Sequence, residues 1–321
     1  MTHIPAAILS DLTISFGIEP TAVTGVPGGY LNEKWRIDTD DASYLLKRFS
    51  PVRYAPARLD SIEQALQRQK LLYERGVSCP RVFACDGTVL RRVSTEQGEP
   101  FVYMLMSFED GITTTPDTVT AAQMVSLGEQ CARMHTALSA CNAAEDARYP
   151  LHSADAVRRL TDHRARLAEF PDYHLPPGTD AILPSLDEAF FDAQAKQLCH
   201  EDFSADNLLF AGDRAVILDF DRGQYSFPLH DVGRAILSLA FDGDALRIPL
   251  VRAFADGYRR HRILTAKDLV NALRLTFACE FPWWMHPDCE KSASKKVLRF
   301  LSEMHFLIHI WDNLPQILKG V

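Results

Sequence analysis

The run LCHEDFSADNLLFAGDRAVILDFDRG, residues 198–223, restricts the fold more than any other stretch of the 321-residue chain. NLLF and AVILDF are apolar, β-prone segments around the turn AGDR, which predicts a hairpin. If Phe210 and Ala215 flank the turn, Asn207 faces Leu218, and Asp219 lies one step away. Neighbouring strands are about 5 Å apart, so both polar side chains leave the same open end of the hairpin. Six acidic residues occupy this stretch (Glu201, Asp202, Asp206, Asp213, Asp219 and Asp221), although strands ordinarily avoid Asp. Such crowding of acids around a short apolar hairpin asks for a chemical reason.

The periodicity changes along the chain. Before residue 110, NEKWRID and SYLLKRF read as strands around the turn TDDA, and PFVYMLMSF as a buried strand. RVFACDGTVLRR contains an Asp86-Gly87 turn. One helix, LDSIEQALQRQKLLYERG, is inserted, with Asp60 or Ser61 as its cap and Gly76 as its stop. EDGITTTPDT is a polar Gly/Pro linker. Beyond it Thr120 and Gln123 stand in capping-box spacing, and helical patterns run at 231–240, 244–260, 265–281 and 292–310. The expected organisation is an α+β, bilobal chain. Residues 1–110 form a small antiparallel-sheet lobe with one main helix, and residues 111–321 a larger, mostly helical lobe.

Composition removes several function classes. A hydrophobic content of 47% with 24% charged residues is that of a soluble globular protein. The formal net charge of −8 argues against a nucleic-acid partner. No stretch is apolar enough to span a membrane, and MTHIPAAILSDL lacks a signal peptide's basic start. Seven scattered cysteines without a Cys-x-x-Cys pair suit reduced thiols in a cytoplasm; a monomer or homodimer is expected.

The hairpin's polar end has the chemistry of a metal-bound phosphate. An amide oxygen from Asn207 and a carboxylate from Asp219 make a hard-oxygen pair suited to Mg²⁺. Asp202 lies on the loop feeding the hairpin, where it can accept a proton from a hydroxyl. Acids that merely cap turns are the competing reading, and the ordered set in hairpin register disfavours it. Lys47 shares a face of its strand with Leu45 and Phe49, which demands an anionic partner, and Glu63 on the following helix can orient it. A surface lysine with a buried stem is the alternative. In VPGGYLN, Gly28 and Gly29 permit close backbone approach to phosphates, or simply make a hairpin turn. Glycine turn, strand lysine, helix acid, linker, Asp202, Asn207 and Asp219 follow the order of phosphoryl transfer.

These residues resemble the aminoglycoside phosphotransferase and choline kinase superfamily, which has a protein-kinase-like fold. The pattern H-x-D-x-x-x-x-N is met by His200, Asp202 and Asn207, and ILDFD follows it. GGYLN, YLLKRF, ERGVSCPRV, YMLMSFEDG, GEQCARMHTAL and HDVGRAI extend the likeness over most of the chain. The phrasing is nearest to the spore-coat-associated kinase-like branch. The resemblance implies an ATP- and Mg²⁺-dependent kinase acting on a hydroxyl of a small molecule such as an amino sugar, an amino alcohol or homoserine. It implies that Asp202 is the catalytic base, and that Asn207 and Asp219 hold the metal. It places Lys47 on the nucleotide phosphates and the backbone near Ser107 and Phe108 on the adenine; Gly28, Gly29, Asn32 and Glu63 are counted with them as nucleotide-site residues. His200 and Asp231 support the catalytic loop.

This chain departs from that pattern where the family commonly has Gly between the His and the Asp; here stands Glu201. Asp221 is read as a second-metal ligand, an acceptor contact or a turn cap. Glu280, Trp283 and Trp284 can line an acceptor pocket for a cation, or pack a core. A protein kinase of the same fold, or a nucleotide-binding scaffold with little turnover, remain as rival readings.

Overall fold

The computed structural model describes residues 4–27, 32–50, 53–96 and 98–321. It divides into two compact units, Met1–Asp110 with Leu218–Arg222, and Gly111–Ile217 with Gly223–Val321.

The first unit is built on an antiparallel sheet of β1 (Ala22–Gly25), β2 (Lys34–Asp38), β3 (Ser43–Phe49), β4 (Val82–Phe83), β5 (Arg91–Ser94) and β6 (Pro100–Ser107). The order is β1-β2-β3-β6-β4, with β5 also on β6. Helices α1 (Ala6–Phe16) and α2 (Pro56–Glu74) cover opposite faces. The alternation along β6 makes this possible: Phe101, Tyr103 and Leu105 pack with Ile8 and Leu12 of α1. Val102, Met104 and Met106 pack with Leu59, Ile62 and Leu66 of α2.

Two sequence expectations need correction here. Helix α1 was not anticipated among the strands of the first hundred residues. Its N-cap is Pro5, with no side-chain bond, so the usual start signal is missing, although Gly17 closes it at φ 67. Helix α2 begins at Pro56, not near Asp60 or Ser61, because proline at the first turn needs no capping side chain. The turn at Asp86 and Gly87 forms with both φ positive (53 and 80), and Gly76 follows α2 at φ 79.

The second unit opens on α3 (Ala121–Ser139), whose Thr120–Gln123 capping box is present. Helices α4 (Ser153–Leu167), α5 (Thr179–Ile182) and α6 (Glu188–Asp192) follow. Then come strands β7 (Gln197–Cys199), β8 (Leu208–Ala211), β9 (Arg214–Ile217) and β10 (Gln224–Ser226). Helices α7 (Pro228–Ala240), α8 (Ile248–Arg259), α9 (Ala266–Trp284), α10 (Pro287–Glu290), α11 (Lys295–Ile310) and α12 (Leu314–Ile317) complete it. Helix α3 packs on α8 through two glycines: a Cβ on Gly128 would lie 2.0 Å from the Phe254 carbonyl oxygen, and one on Gly257 would lie 2.0 Å from that of Val125. No helix among the described residues is long and apolar enough to cross a membrane, and all seven cysteines are free thiols.

Candidate active site

The hairpin forms in the anticipated register, with Phe210 opposite Ala215 and Leu208 opposite Ile217. The linker residue Ile112 is tied to it by paired backbone bonds with Phe210, at 3.1 and 2.9 Å.

The loop between β7 and β8 is held from beneath by one carboxylate. Asp231, fully buried on the first turn of α7, accepts the His200 N–H at 2.9 Å and the Glu201 N–H at 2.9 Å. His135 Nε2 lies 3.1 Å from the same carboxylate, and its Nδ1 lies 2.9 Å from the Tyr258 hydroxyl. Burial depresses the His135 pKa, so a neutral ring donates to Asp231 and accepts from Tyr258. His200, fully buried, accepts the Asp202 N–H on Nδ1 at 3.2 Å. The Asn207 Nδ2 donates to the Asp202 carbonyl at 2.8 Å, closing the loop across its mouth. That bond leaves Asn207 Oδ1 as the acceptor atom, the donor type a hard cation needs.

Glu201 takes φ 67 in this loop, a left-handed conformation that favours glycine. Its side chain turns inward, accepting from Gln224 Nε2 at 3.0 Å and lying 3.3 Å from His230 Nδ1. Burial would raise its pKa, but His230, Ser226 and Gln224 outweigh that and bring it down to about 2. His230 Nε2 lies 3.4 Å from Glu280, which also accepts from Arg234 at 2.8 Å; Arg234 in turn bonds Glu303. Burial would lower the His230 pKa. It is raised well above normal by Cys279, Glu201 and Glu280, and because burial keeps Cys279 a neutral thiol, the two carboxylates dominate.

In the first unit, Lys47 on β3 is 3% exposed, which removes the surface-lysine alternative. Its Nζ lies 2.7 Å from Asp219 Oδ1 and 2.5 Å from Asp221 Oδ2. Burial would lower its pKa, but the charges of Asp221 and Asp219 raise it, so the lysine stays an ammonium. Burial pushes Asp221 up against the pull of Lys47. Asp219 sits at φ 62, an uncommon conformation for a non-glycine residue and one of the signs of a functional turn. Arg58 of α2 donates to the Asp221 carbonyl at 3.2 Å.

Residues 22–264 match the model of the Phosphotransferase enzyme family. The chain belongs to that family. A homoserine kinase of Hyphomonas neptunium is 31% identical, over 82% of this chain and 80% of that one. A homoserine kinase of Rhodopseudomonas palustris is 27% identical, over 83% and 79%. Among solved structures, an amicoumacin kinase in complex with AMP-PNP, Ca²⁺ and Ami superposes with a TM-score of 0.63 at 14% identity, covering 94% of this chain and 92% of that one. The protein-kinase-like fold is therefore present, and the chain is a small-molecule kinase.

The remaining predicted residues of this phosphotransferase divide clearly. Glu63 does not orient Lys47: its carboxylate accepts the N–H groups of Val89 and Leu90 at 2.8 and 2.7 Å, and a Gln67 amide at 3.1 Å. The missed partner of Lys47 is Asp221, for which none of the three anticipated roles was an ion pair. The Ser107 N–H bonds the Arg81 carbonyl at 2.9 Å and the Phe108 N–H that of Ser43 at 3.0 Å, so neither is left for a base. Asn32 accepts from the Tyr54 hydroxyl at 3.0 Å. Gly28 and Gly29 lie outside the described residues. Glu280, Trp283 and Trp284 make no common wall. Trp283 is 62% exposed, whereas Trp284 stacks on Phe300 at 4.4 Å and donates to Glu280 at 3.0 Å. Among the described residues no group of three or more His, Cys, Asp and Glu could hold a metal by itself. The amide oxygen of Asn207 and the carboxylate of Asp219 are each a hard donor of the type Mg²⁺ takes.

Proposed function

We propose that this phosphotransferase moves the γ-phosphoryl group of ATP to the hydroxyl of a small amino-bearing alcohol, with homoserine the first candidate. The names of the two relatives support that acceptor, and the AMP-PNP and Ca²⁺ of the amicoumacin kinase structure support ATP with a divalent cation. The observation that carries the reading is the grip of Asp231 on the two N–H groups immediately before Asp202. A base must be held within hydrogen-bond reach of the proton it takes, and a rigid backbone on its N-terminal side does this.

Asp202 accepts the acceptor's hydroxyl proton as that oxygen bonds to the γ-phosphorus and the bond to ADP breaks. Lys47 binds the nucleotide phosphates, with residues 1–110 supplying the nucleotide lobe and residues 111–321 the acceptor. Asn207 and Asp219 would hold Mg²⁺, which would neutralise charge on the phosphates. With the N–H groups of Ser107 and Phe108 committed to the sheet, the adenine edge falls to the chain just beyond them.

The test is ADP release by the purified protein against homoserine, amino alcohols and amino sugars, repeated with Asp202→Asn. Turnover by the variant should fall by at least ~10²-fold, the range for loss of a general base. Full turnover by the variant removes the assignment of the base.

A further inference from the structure

Arg148 stands on the loop between α3 and α4, with its Nη1 3.9 Å from Glu201 Oε2 and about a third of its side chain exposed (32%). That separation is an ion pair too long for a hydrogen bond. Among the described residues its guanidinium makes no other pairing, so a fork of five N–H donors remains unused. Glu201 does not need this arginine, since His230 and Gln224 already satisfy its carboxylate from within.

The surroundings place this fork beside the chemistry. Glu201 is the residue immediately before Asp202. Strand β10, carrying Gln224 and Tyr225, pairs with β7 so that Gln224 faces Cys199 and Tyr225 faces Leu198. Tyr149, next to Arg148, meets Tyr225 edge-on at 5.1 Å. The Arg148 loop, β10 and the catalytic loop thus form one continuous patch within the second unit. On it a guanidinium with unused donors stands beside a carboxylate, next in sequence to a proton acceptor. The complement of that guanidinium is a carboxylate on a molecule bearing a hydroxyl.

We propose that Arg148 binds the carboxylate of the phosphate acceptor, which is a hydroxylated α-amino acid. This rests on the kinase reading of the Asp202 loop and narrows its acceptor. An amino alcohol without a carboxylate leaves the arginine fork unused, and an α-amino acid fills it.

The experiment compares homoserine with the aminopropanol that remains when its carboxylate is removed. Arg148→Ala should raise KM for homoserine about 10- to 100-fold, the effect of losing a charge-assisted pair. It should leave KM for ATP and kcat/KM for the aminopropanol unchanged. Arg148→Lys, which keeps the charge without the fork, should recover part of the loss, and melting temperatures of both variants show that the fold is intact. Equal effects on both acceptors, or none on homoserine, overturn the assignment while leaving the kinase reading in place. Failure of the wild-type protein to release ADP with homoserine overturns the assignment of the acceptor, and the kinase reading falls only if amino alcohols and amino sugars fail as well.

Discussion

Lys47 Nζ lies 2.7 Å from Asp219 Oδ1 and 2.5 Å from Asp221 Oδ2, so one buried ammonium holds two carboxylates together. Two anions this close repel strongly without a cation. Lys47→Met should therefore destabilise the first unit by up to about 3 kcal/mol, discounted because Asp219 is partly exposed. A divalent cation replaces the missing charge, so Mg²⁺ alone should raise the melting temperature of the variant more than that of the wild type. Equal shifts would show that these carboxylates do not take the metal.

Nucleotide binding gives a second measurement on the same lysine. A ligand of the folded state alone, at about 100 times its Kd, stabilises by roughly 2.7 kcal/mol. ATP with Mg²⁺ should raise the wild-type melting temperature accordingly, and Lys47→Ala should blunt the rise. A full rise in the variant would remove Lys47 from the phosphate site.

The anchoring of the catalytic loop predicts a different signature. Asp231 accepts two backbone N–H groups, and an asparagine would turn its amide donors toward one of them. Asp231→Asn should lower kcat by about 10²-fold through misplacement of Asp202, while the ATP-induced melting shift stays. Loss of the shift together with kcat would mean that the whole unit has come apart.

The arrangement of the hairpin and of Lys47 was legible where it is local in sequence. The pairing of Phe210 with Ala215 followed from turn chemistry and alternation. The demand of Lys47 for an anion followed from the apolar face it shares with Leu45 and Phe49. Which anion it meets did not, because α2 offers Glu63 at a plausible spacing while Asp221 lies 174 positions away. The inward role of Glu280 was equally hidden: its partners Arg234 and His230 stand 46 and 50 residues earlier. Helix α1 escaped because its start carries proline instead of a capping side chain.

Close packing of α3 on α8 supplies a stability test far from the chemistry. Gly128→Ala puts a methyl group where the Phe254 carbonyl oxygen would be 2.0 Å away, and backbone at that position cannot swing aside as a side chain can. The two helices must separate, at a loss of ~1–3 kcal/mol or more. Urea unfolding should show this loss, and Gly257→Ala should show a similar one from the facing helix. A neutral result at both positions would mean that the helices are not in this close register.

The last prediction concerns pH, through Glu201 and His230. Glu201 is held at about 2 against an ordinary value of 4.5. A carboxyl depressed on folding contributes stability that is present above its unfolded pKa and is lost as pH falls through the folded one. His230 has the opposite sign: raised on folding, it contributes fully below about pH 6.5 and loses that contribution as pH rises through its raised value. Near pH 5 to 6 both contributions stand together. Glu201→Gln keeps the side chain's size and removes its charge, leaving His230 with Glu280 as its remaining carboxylate. At pH 6 the variant should melt below the wild type. As pH falls from about 4.5 toward 2 the wild type binds the proton that the variant cannot, so the gap between their melting curves should close. A gap that stays constant down to pH 3 would show that Glu201 is not held as a buried carboxylate.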